Sequence, residues 1–537
     1  MIFNTITFDK KIFLLISILL PTLFGIIAIT LGQDNFWDLR NYHYYNPYAL
    51  MYGRFLTDIQ VSQLQTYFNP TLDLLFYSLI ENFHPKVATF LMAFIQGING
   101  PLIMVLFFIL LQKVNPPIRT TYVIGLSILA LYAPIMISQI GASSNDLTPS
   151  ILIICALIVT VLSIQQRKDV PNKYLLLSGL LIGASTGLKL TQAPYGIAYT
   201  AAILLLPGSM IEKSKKGLFT VIALLLGLIL TSGWWMVYMW LYYDNPLFPY
   251  YNDIFHSSLI LEKNWSDNRF IPQSFFEHLS LPFKWLYKNH FSDRQLLHQD
   301  SRYAIIYITS IILLIKCLWH RLRKIGNQKQ SESKILPLEH FFIVIFFFTA
   351  YIVWQLKFSI LRYTHVLEML APFIILIIIL NLINNTKLKW IILCITSVII
   401  LIQLTPPHID RLPFKDTFFR VTFPELNNSK NTMLLIAGGR PWGYLTSDIP
   451  KEMRIIRITS NLIKKDHQVG MKNQIIKTIR AHEGPIYLLT REQLLRKHYD
   501  DLRAYNLDIN SKNALRIYSD HEPPGLLIVE VIKPPLY

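Results

Sequence analysis

Long apolar runs separated by short polar segments dominate the chain. A run of roughly 17 to 25 apolar residues is long enough to cross the hydrocarbon core of a bilayer as a helix. About eleven runs meet this length, and they predict membrane-spanning helices at residues 12–32, 88–111, 120–140, 147–165, 174–192, 195–210, 217–241, 302–319, 339–356, 366–384 and 388–404. The segment from Thr71 to Phe83 is apolar but short and contains Asp73 and Glu81, which predicts a helix at the membrane surface.

The loops between these runs alternate in charge, and this alternation predicts their orientation. Every second loop is basic, with Lys10 and Lys11, Lys113 and Arg119, Arg167, Lys168 and Lys173, Lys213, Lys215 and Lys216, Arg321, Arg323, Lys324, Lys329 and Lys334, and Lys387 and Lys389. Short cytoplasmic loops are enriched in Lys and Arg. We therefore expect a cytoplasmic N-terminus and, with an odd number of spans, an extracytoplasmic C-terminus. No small-residue cleavage site follows the first run, so it predicts a retained span and not a signal peptide.

Three segments fall on the predicted outer side: residues 33–87, residues 242–301 and the region from Thr405 to Tyr537. The last contains four short strand-like runs, TMLLIAGG, MRIIRIT, PIYLLT and GLLIVEVI, with amphipathic stretches at 468–482 and 491–505 between them. Gly438-Gly439-Arg440 follows the first of these runs and predicts an ordinary strand–turn, since no GxGxxG or Walker pattern surrounds it. We therefore divide the chain into a membrane domain, residues 1–404, and an extracytoplasmic α/β domain, residues 405–537.

Composition supports this fold class, a polytopic α-helical membrane protein. The 537 residues are 52% hydrophobic and 15% charged, against about 25% charged in soluble domains. The net charge of +17 is divided among short loop clusters, which does not indicate a nucleic-acid partner. Cys155, Cys317 and Cys394 lie in apolar runs and predict neither a disulfide framework nor a zinc site. The helix centres carry almost no charge, and the sequence shows no internal repeat. Both features disfavour a transporter.

The polar residues that could take part in catalysis or binding lie at the predicted outer ends of the helices. They are Asp38, Asp58 and Asp73 in the first loop, Asn145 and Asp146 in SSND, Lys189 in GLKLTQAPYG, Asp244, Asn245 and Asn252 in DNPLFPYYND, and Arg362, Tyr363, His365 and Glu368 in SILRYTHVLEML. Each has a structural alternative. Asp146 beside Asn145 can cap a helix, Lys189 can reach the headgroups, Arg362 can bind lipid phosphate without specificity, and Asp244-Asn245-Pro246 can form a turn. The Tyr and Trp residues around Asp38 can form an interfacial aromatic belt.

Together these residues resemble the GT-C-type membrane glycosyltransferases, which use polyprenyl-phosphate-linked sugars. Asp38 in Trp37-Asp38-Leu39 matches the acid that follows the first helix in that family, and Asn145-Asp146 matches the second acidic motif. DNPLFPYYNDIF, Arg269-Phe270 and Arg362-Tyr363 are similar to elements of bacterial members. Two features depart from the family pattern: Asp38 is a lone acid, and Asn precedes Asp146. Both weaken the expectation of a bound divalent cation, for which Asp38 and Asp146 are the candidate ligands.

The resemblance implies an inverting transfer on the outer side of a bacterial inner membrane. Asp38 would take the proton of an acceptor hydroxyl, while Lys189 and Arg362 would stabilise the leaving phosphate. Tyr42, His43 and Asn69 would line the sugar pocket, and Asn145, Asp146, Asn245 and Tyr363 would contact substrate. The partners would be a polyprenyl-phosphate sugar, membrane lipids and a glycan, lipid or protein acceptor. Two alternatives stay open: a non-catalytic membrane protein whose outer domain binds a partner or polysaccharide, and a glycan polymerase or ligase of another fold.

Overall fold

A computed structural model describes residues 10–287, 298–324, 336–406, 409–426 and 431–533. Two residues used to predict orientation, Lys329 and Lys334, lie outside these ranges. Helices α1 to α19 span Lys10–Leu31, Tyr45–Met51, Asp73–Asn82, Pro85–Gly97, Asn99–Leu110, Pro116–Leu131, Pro134–Ser138, Leu147–Arg167, Asn172–Leu188, Ala193–Leu204, Met210–Tyr243, Asn252–Phe255, Phe275–Lys284, Arg302–Lys324, Leu338–Lys357, His365–Leu382, Thr386–Gln403, Gly470–Ala481 and Leu495–Arg503. Strands β1 to β8 span Gln33–Asp34, Arg411–Leu412, Val421–Thr422, Met433–Ile436, Arg454–Arg457, Ile486–Arg491, Asp508–Ser519 and Leu526–Ile532.

Within the described residues, 8 helical stretches are long and apolar enough to cross a membrane. They are α1, α4 with α5, α8, α11 and α14 to α17, and they confirm the predicted class of multi-pass helical membrane protein. The other three predicted spans correspond to shorter helices, α6, α9 and α10, so eleven crossings stay a prediction. The span predicted over 120–140 breaks at Ala133, whose backbone is extended before Pro134, because a residue that precedes proline avoids the helical conformation.

Glycines bring α9 and α11 into close contact along much of their length. A Cβ on Gly183 would lie 2.0 Å from the carbonyl oxygen of Leu224, and one on Gly227 would lie 2.2 Å from that of Leu180. Only glycine permits such an approach, as in the small-residue interfaces of many membrane helices. This contact fixes the end of α9, where Lys189 follows the last helical residue.

The C-terminal region forms a six-stranded sheet in the order β3-β7-β8-β6-β4-β5. The pairs β4–β5 and β4–β6 are parallel, whereas β8, β7 and β3 extend the sheet in antiparallel fashion. The four predicted strands are observed as β4, β5, β6 and β8, and the two amphipathic stretches contain α18 and α19. Strand β7 went unpredicted because its polar sequence, DINSKNALRIYS, lacks regular alternation.

The sheet region packs directly on the first loop. Strand β1, which follows α1, pairs with β2 in antiparallel register, and Ile59 forms an isolated parallel bridge with Ile456. The side chain of Asp58 accepts a hydrogen bond from the backbone N–H of Ile455 at 2.9 Å. The first loop and the C-terminal region therefore lie at the same end of the helix bundle, which we call the loop face. The domain boundary after residue 404 remains a prediction.

Candidate functional site

A cavity of about 1300 Å³ opens at the loop face. Its wall is assembled from sequence-distant parts: the first loop, the segment before α8, the turn between α9 and α10, the second half of α11, the loop after α11, the turn before α16 and the turn after β5. Eight of the predicted site residues line it, namely Asp38, Tyr42, His43, Asn69, Asn145, Lys189, Arg362 and Tyr363. The predicted candidates thus converge on one space, although they are separated by up to 325 positions in sequence.

Asp38 and Arg362 form an ion pair at the centre of this wall. The Arg362 Nη1 group donates to Asp38 Oδ2 at 2.5 Å, and the two side chains are 17% and 10% exposed. Burial by itself would raise the pKa of Asp38, but Arg362 foremost, together with His43 and Lys189, outweighs it and lowers the pKa below its ordinary value. Asp38 is therefore a carboxylate at neutral pH. The Arg362 Nε group is buried and has no hydrogen-bond partner in the described structure.

A short π-helical turn, Leu39–His43, presents Asp38, Tyr42 and His43 to the cavity. Its hydrogen bond runs from Tyr44 N–H to the Leu39 carbonyl at 3.4 Å, one residue longer than in an α-helix. Such π turns are uncommon and often occur at functional sites. Asp38 occupies the N-cap position of this turn and His43 its last position, and both line the cavity.

His43, Asp73 and Asn145 form a buried hydrogen-bonded group next to the ion pair. His43 Nδ1 lies 2.7 Å from Asp73 Oδ1, and the two side chains are 4% and 6% exposed. Asn145 Nδ2 donates to the same carboxylate oxygen at 2.6 Å. Because a carboxylate only accepts, Nδ1 carries the hydrogen of this contact, and an unprotonated ring has its lone pair on Nε2. Within the described residues, Nε2 is buried and has no partner.

Lys189 forms the second cationic corner of the cavity. Its Nζ lies 2.6 Å from Asp146 Oδ1 and also donates to the Ser144 carbonyl. Asp146 is fully buried and makes no side-chain capping bond to α8, although it occupies the N-cap position. Gln139 Nε2 donates to its other oxygen at 3.3 Å. Asp146 therefore lies behind the cavity wall, where it holds Lys189 in place.

Asn69 lines the cavity, but its side chain forms hydrogen bonds to backbone carbonyl groups. Its Nδ2 donates to the carbonyls of Gly187 at 3.0 Å and Thr231 at 3.2 Å, and its Oδ1 accepts from Thr71. These bonds tie the first loop to the ends of α9 and α11. Tyr363 also faces the cavity, and its backbone carbonyl accepts from Tyr195 Oη at 2.7 Å.

The predicted Asn245 does not line the cavity. It is buried beneath the loop after α11, where Nδ2 donates to the Tyr250 carbonyl at 2.9 Å and Oδ1 accepts from Leu247 N–H at 2.9 Å. Asn252 braces the next part of the loop in the same way, through Ser257 and Leu261. Asp244 ends α11 in a left-handed backbone conformation. These three residues shape the loop that carries the cavity-lining residues Pro246 to Phe248 and Tyr250.

Two further candidate acids serve buried structural contacts. Glu368 accepts from Ile135 N–H at 3.0 Å and lies 3.6 Å from Arg302 Nη2, which in turn binds Asp300 at 2.7 Å. This cluster anchors α16 near Arg362. Asp58 is held by Arg54 and by Tyr45. His365 is buried, and its Nδ1 donates to the Arg362 carbonyl at 3.1 Å.

Beside Arg269 and Phe270, which the sequence analysis names, the structure adds cavity residues that it does not: Lys263, Trp265, Asp267 and Lys464. Lys263 lies 3.9 Å from the ring centroid of Trp265, and Asp267 pairs with Arg269 at 2.5 Å. The exposed Lys464 comes from the turn after β5. The stretch Lys263–Phe270 mixes cationic and aromatic residues, which is the sequence signal that could have identified it.

Both candidate metal ligands are paired with cationic side chains. Asp38 contacts Arg362, and Asp146 contacts Lys189. In the described part of the chain, no group of three or more His, Cys, Asp or Glu side chains that could hold a metal ion is found. Hard divalent cations prefer several oxygen ligands, and the possible divalent cation stays a prediction.

No protein-family model matches the chain, and no curated protein matches it in sequence. Among solved structures, the fold is similar to that described as "Crystal Structure of ArnT from Cupriavidus metallidurans bound to Undecaprenyl phosphate". The TM-score is 0.42 at 14% identity, and the match covers 73% of this chain and 64% of the other, which is less than two thirds of its length. The chain is a multi-pass helical membrane protein with a sheet-containing C-terminal region.

Proposed function

We propose that the protein is a membrane glycosyltransferase that moves a sugar from a polyprenyl-phosphate donor to an acceptor hydroxyl in this cavity. The observation that carries the proposal is the Asp38–Arg362 ion pair, with Lys189 on the same wall. Such a transfer needs a base for the acceptor hydroxyl and fixed positive charge for the departing phosphate. Both kinds of group face one cavity.

Arg362 and Lys189 are the proposed phosphate ligands. Arg362 uses Nη1 on Asp38 and retains further N–H groups, including the unpartnered Nε, for a bidentate contact with phosphate oxygens. Lys189 supplies a point charge whose position is fixed by Asp146. As the bond to the sugar breaks, negative charge grows on the phosphate, and these two cations stabilise it more in the transition state than in the donor complex.

The apolar part of the wall suits the lipid portion of such a donor. Trp235, Met236 and Met239 of α11 line the cavity, and α11 qualifies as a membrane-spanning helix. A polyprenyl chain lying against α11 would therefore remain in contact with apolar side chains while its phosphate reaches the two cations. The interior location of Lys189 and Arg362 also sets them apart from side chains that bind headgroups at random.

Asp38 is the proposed base. Its carboxylate form is favoured by Arg362, and it faces the same space as the proposed phosphate ligands. The acceptor oxygen attacks the anomeric carbon as its proton passes to Asp38, and the bond from that carbon to the phosphate oxygen breaks. The electron pair leaves with the phosphate. A single displacement of this kind inverts the anomeric centre.

Asp38→Asn provides the decisive test. In cells that depend on the protein for a glycan, we expect the variant to insert and accumulate normally but to abolish that glycan. In membranes, the rate at which polyprenyl phosphate is released from the endogenous lipid-linked sugars should fall about 10²–10⁴-fold. Asp169→Asn is the matched control, because Asp169 forms an ion pair with Lys216 at the opposite end of α11 from the cavity. It should retain wild-type activity.

The alternatives give different results in the same experiment. A non-catalytic binding protein would leave the released polyprenyl phosphate unchanged in both variants. A polymerase or ligase of another fold would tolerate Asp38→Asn but fail with Arg362→Met. Normal transfer by Asp38→Asn would refute Asp38 as the base.

A further inference from the structure

We propose that His43, oriented by Asp73, is a second catalytic group that receives at Nε2 the proton which Asp38 removes from the acceptor. This inference rests on the proposed function and adds a residue to its chemistry. The proton balance is complete: the acceptor hydroxyl proton passes to an Asp38 oxygen and then, by way of a bridging water because Asp38 and His43 form no direct ion pair in the described structure, to His43 Nε2, while the phosphate leaves with the electron pair of the broken bond.

Asp73 fixes the tautomer of His43. Asp73 Oδ1 lies 2.7 Å from Nδ1 and accepts its hydrogen, which leaves the lone pair on Nε2. A buried histidine whose second nitrogen binds a carboxylate is oriented for proton transfer at the other nitrogen, and its protonated ring is stabilised by that carboxylate. Asn145 donates to the same Asp73 oxygen at 2.6 Å and fixes the carboxylate in turn.

His43 Nε2 is buried and has no hydrogen-bond partner in the described structure, and His43 lines the cavity. A buried polar atom without a partner costs about 1–3 kcal/mol. A purely structural histidine would be expected to satisfy both ring nitrogens, so the unpartnered Nε2 fits a group that receives a proton during the reaction.

Arg362 Nη1 already donates to Asp38 Oδ2 at 2.5 Å, so a proton taken from the acceptor is poorly retained beside this guanidinium. Asp38 directly precedes the π-helical turn Leu39–His43, and both Asp38 and His43 line the cavity. An unprotonated imidazole at the end of this turn gives the proton a destination inside the cavity.

The test uses chemical rescue with the full-length protein in nanodiscs. The substrate is a total lipid extract from producing cells, and the readout is polyprenyl phosphate released per minute. We expect His43→Ala to lower the maximal rate about 10²–10⁴-fold, while the half-saturating lipid concentration changes less than about threefold. Imidazole added in the millimolar range should enter the space left by the ring and restore at least a tenth of the lost rate.

His43→Gln is the companion variant, since its amide can replace the Nδ1 hydrogen bond to Asp73 without providing a proton acceptor. It should fold like the wild type, lose activity to a similar degree and resist rescue because the space is filled. Asp73→Asn should also lower the maximal rate, since an amide no longer fixes the required tautomer.

Two outcomes would overturn the inference. One is a wild-type rate for His43→Gln, and the other is a loss in His43→Ala that imidazole does not relieve although the protein is folded. Its failure is separable from failure of the proposed function. If Asp38→Asn and Arg362→Met abolish transfer while the His43 variants retain it, the proton relay is refuted and the proposed glycosyltransferase function is supported. If none of these variants affects transfer, the proposed function itself is refuted.

Discussion

Asp58 offers a quantitative test of how the C-terminal region is attached to the first loop. Its carboxylate accepts four hydrogen bonds: two from Arg54 at 2.7 and 3.0 Å, one from Tyr45 Oη at 3.0 Å and one from Ile455 N–H at 2.9 Å. The Asp58 side chain is 1% exposed and that of Arg54 is 9% exposed. Asp58→Ala leaves a buried guanidinium and a buried N–H without this partner.

Removing one member of a buried ion pair costs about 3–5 kcal/mol. We therefore expect Asp58→Ala to lower the Tm by on the order of 10 °C for a region of this size and to expose the C-terminal region to limited proteolysis. The double variant Arg54→Met with Asp58→Leu removes both charges, and replacing a buried pair by apolar residues is often nearly neutral. It should therefore be more stable than Asp58→Ala alone.

The assay is thermal unfolding of the purified protein in detergent, with proteolytic release of the C-terminal region as a second readout. A wild-type Tm for Asp58→Ala would refute the assigned contact. A double variant whose loss equals the sum of the two single losses would show that the two charges act independently. Because the contacts of Asp58 are structural, activity per folded molecule should remain normal in Asp58→Asn, in contrast to Asp38→Asn.

Two further predictions concern the same interface. Gly443→Ala should destabilise the protein by about 1–3 kcal/mol, since the added Cβ would lie 2.0 Å from the Asn41 carbonyl oxygen. Gly439→Ala is the control and should change the Tm little, because its Cβ would meet only a flexible side-chain atom at 3.4 Å. Burial lowers the pKa of His521 from 6.5 to about 4. Between these pH values the folded state therefore binds fewer protons than the unfolded state. The free energy of unfolding should be at its full value above pH 6.5 and fall by up to about 3 kcal/mol as the pH approaches 4. Unfolding of His521→Gln, followed over the same pH range, should show a smaller loss, and an equal loss in both proteins would contradict this assignment.

Much of the architecture follows from simple sequence periodicities. Apolar runs predicted the helix bundle, and short β-branched runs predicted four of the strands in the C-terminal sheet. The failures have local causes. Pro134 ends a predicted span because the preceding Ala133 is extended. The sequence does not predict β7, because this strand is stabilised by pairing with β8 and has no hydrophobic pattern of its own.

The candidate site could likewise be predicted only in part from the sequence. Asp38, Lys189 and Arg362 could be brought together from sequence because each lies at a helix end on the same predicted face. The partnership of His43 with Asp73 could not, since it depends on how a π turn packs against α3. Nor could sequence distinguish Asn245, which braces a loop, from Asn145, which faces the cavity.

The pairing of β1 with β2 has a consequence for how the protein is made. Gln33 pairs with Leu412, and Ile59 with Ile456, so contacts of very long sequence separation join the segment after α1 to the region after α17. Long-range pairings form slowly and leave early segments exposed until their partners are made. The first loop must therefore remain unpaired during insertion of the intervening helices, and the cavity wall is completed only when the turn after β5 has been made. Chains cut short during synthesis would carry Asp38 and Arg362 but lack the sheet that holds the loop around them.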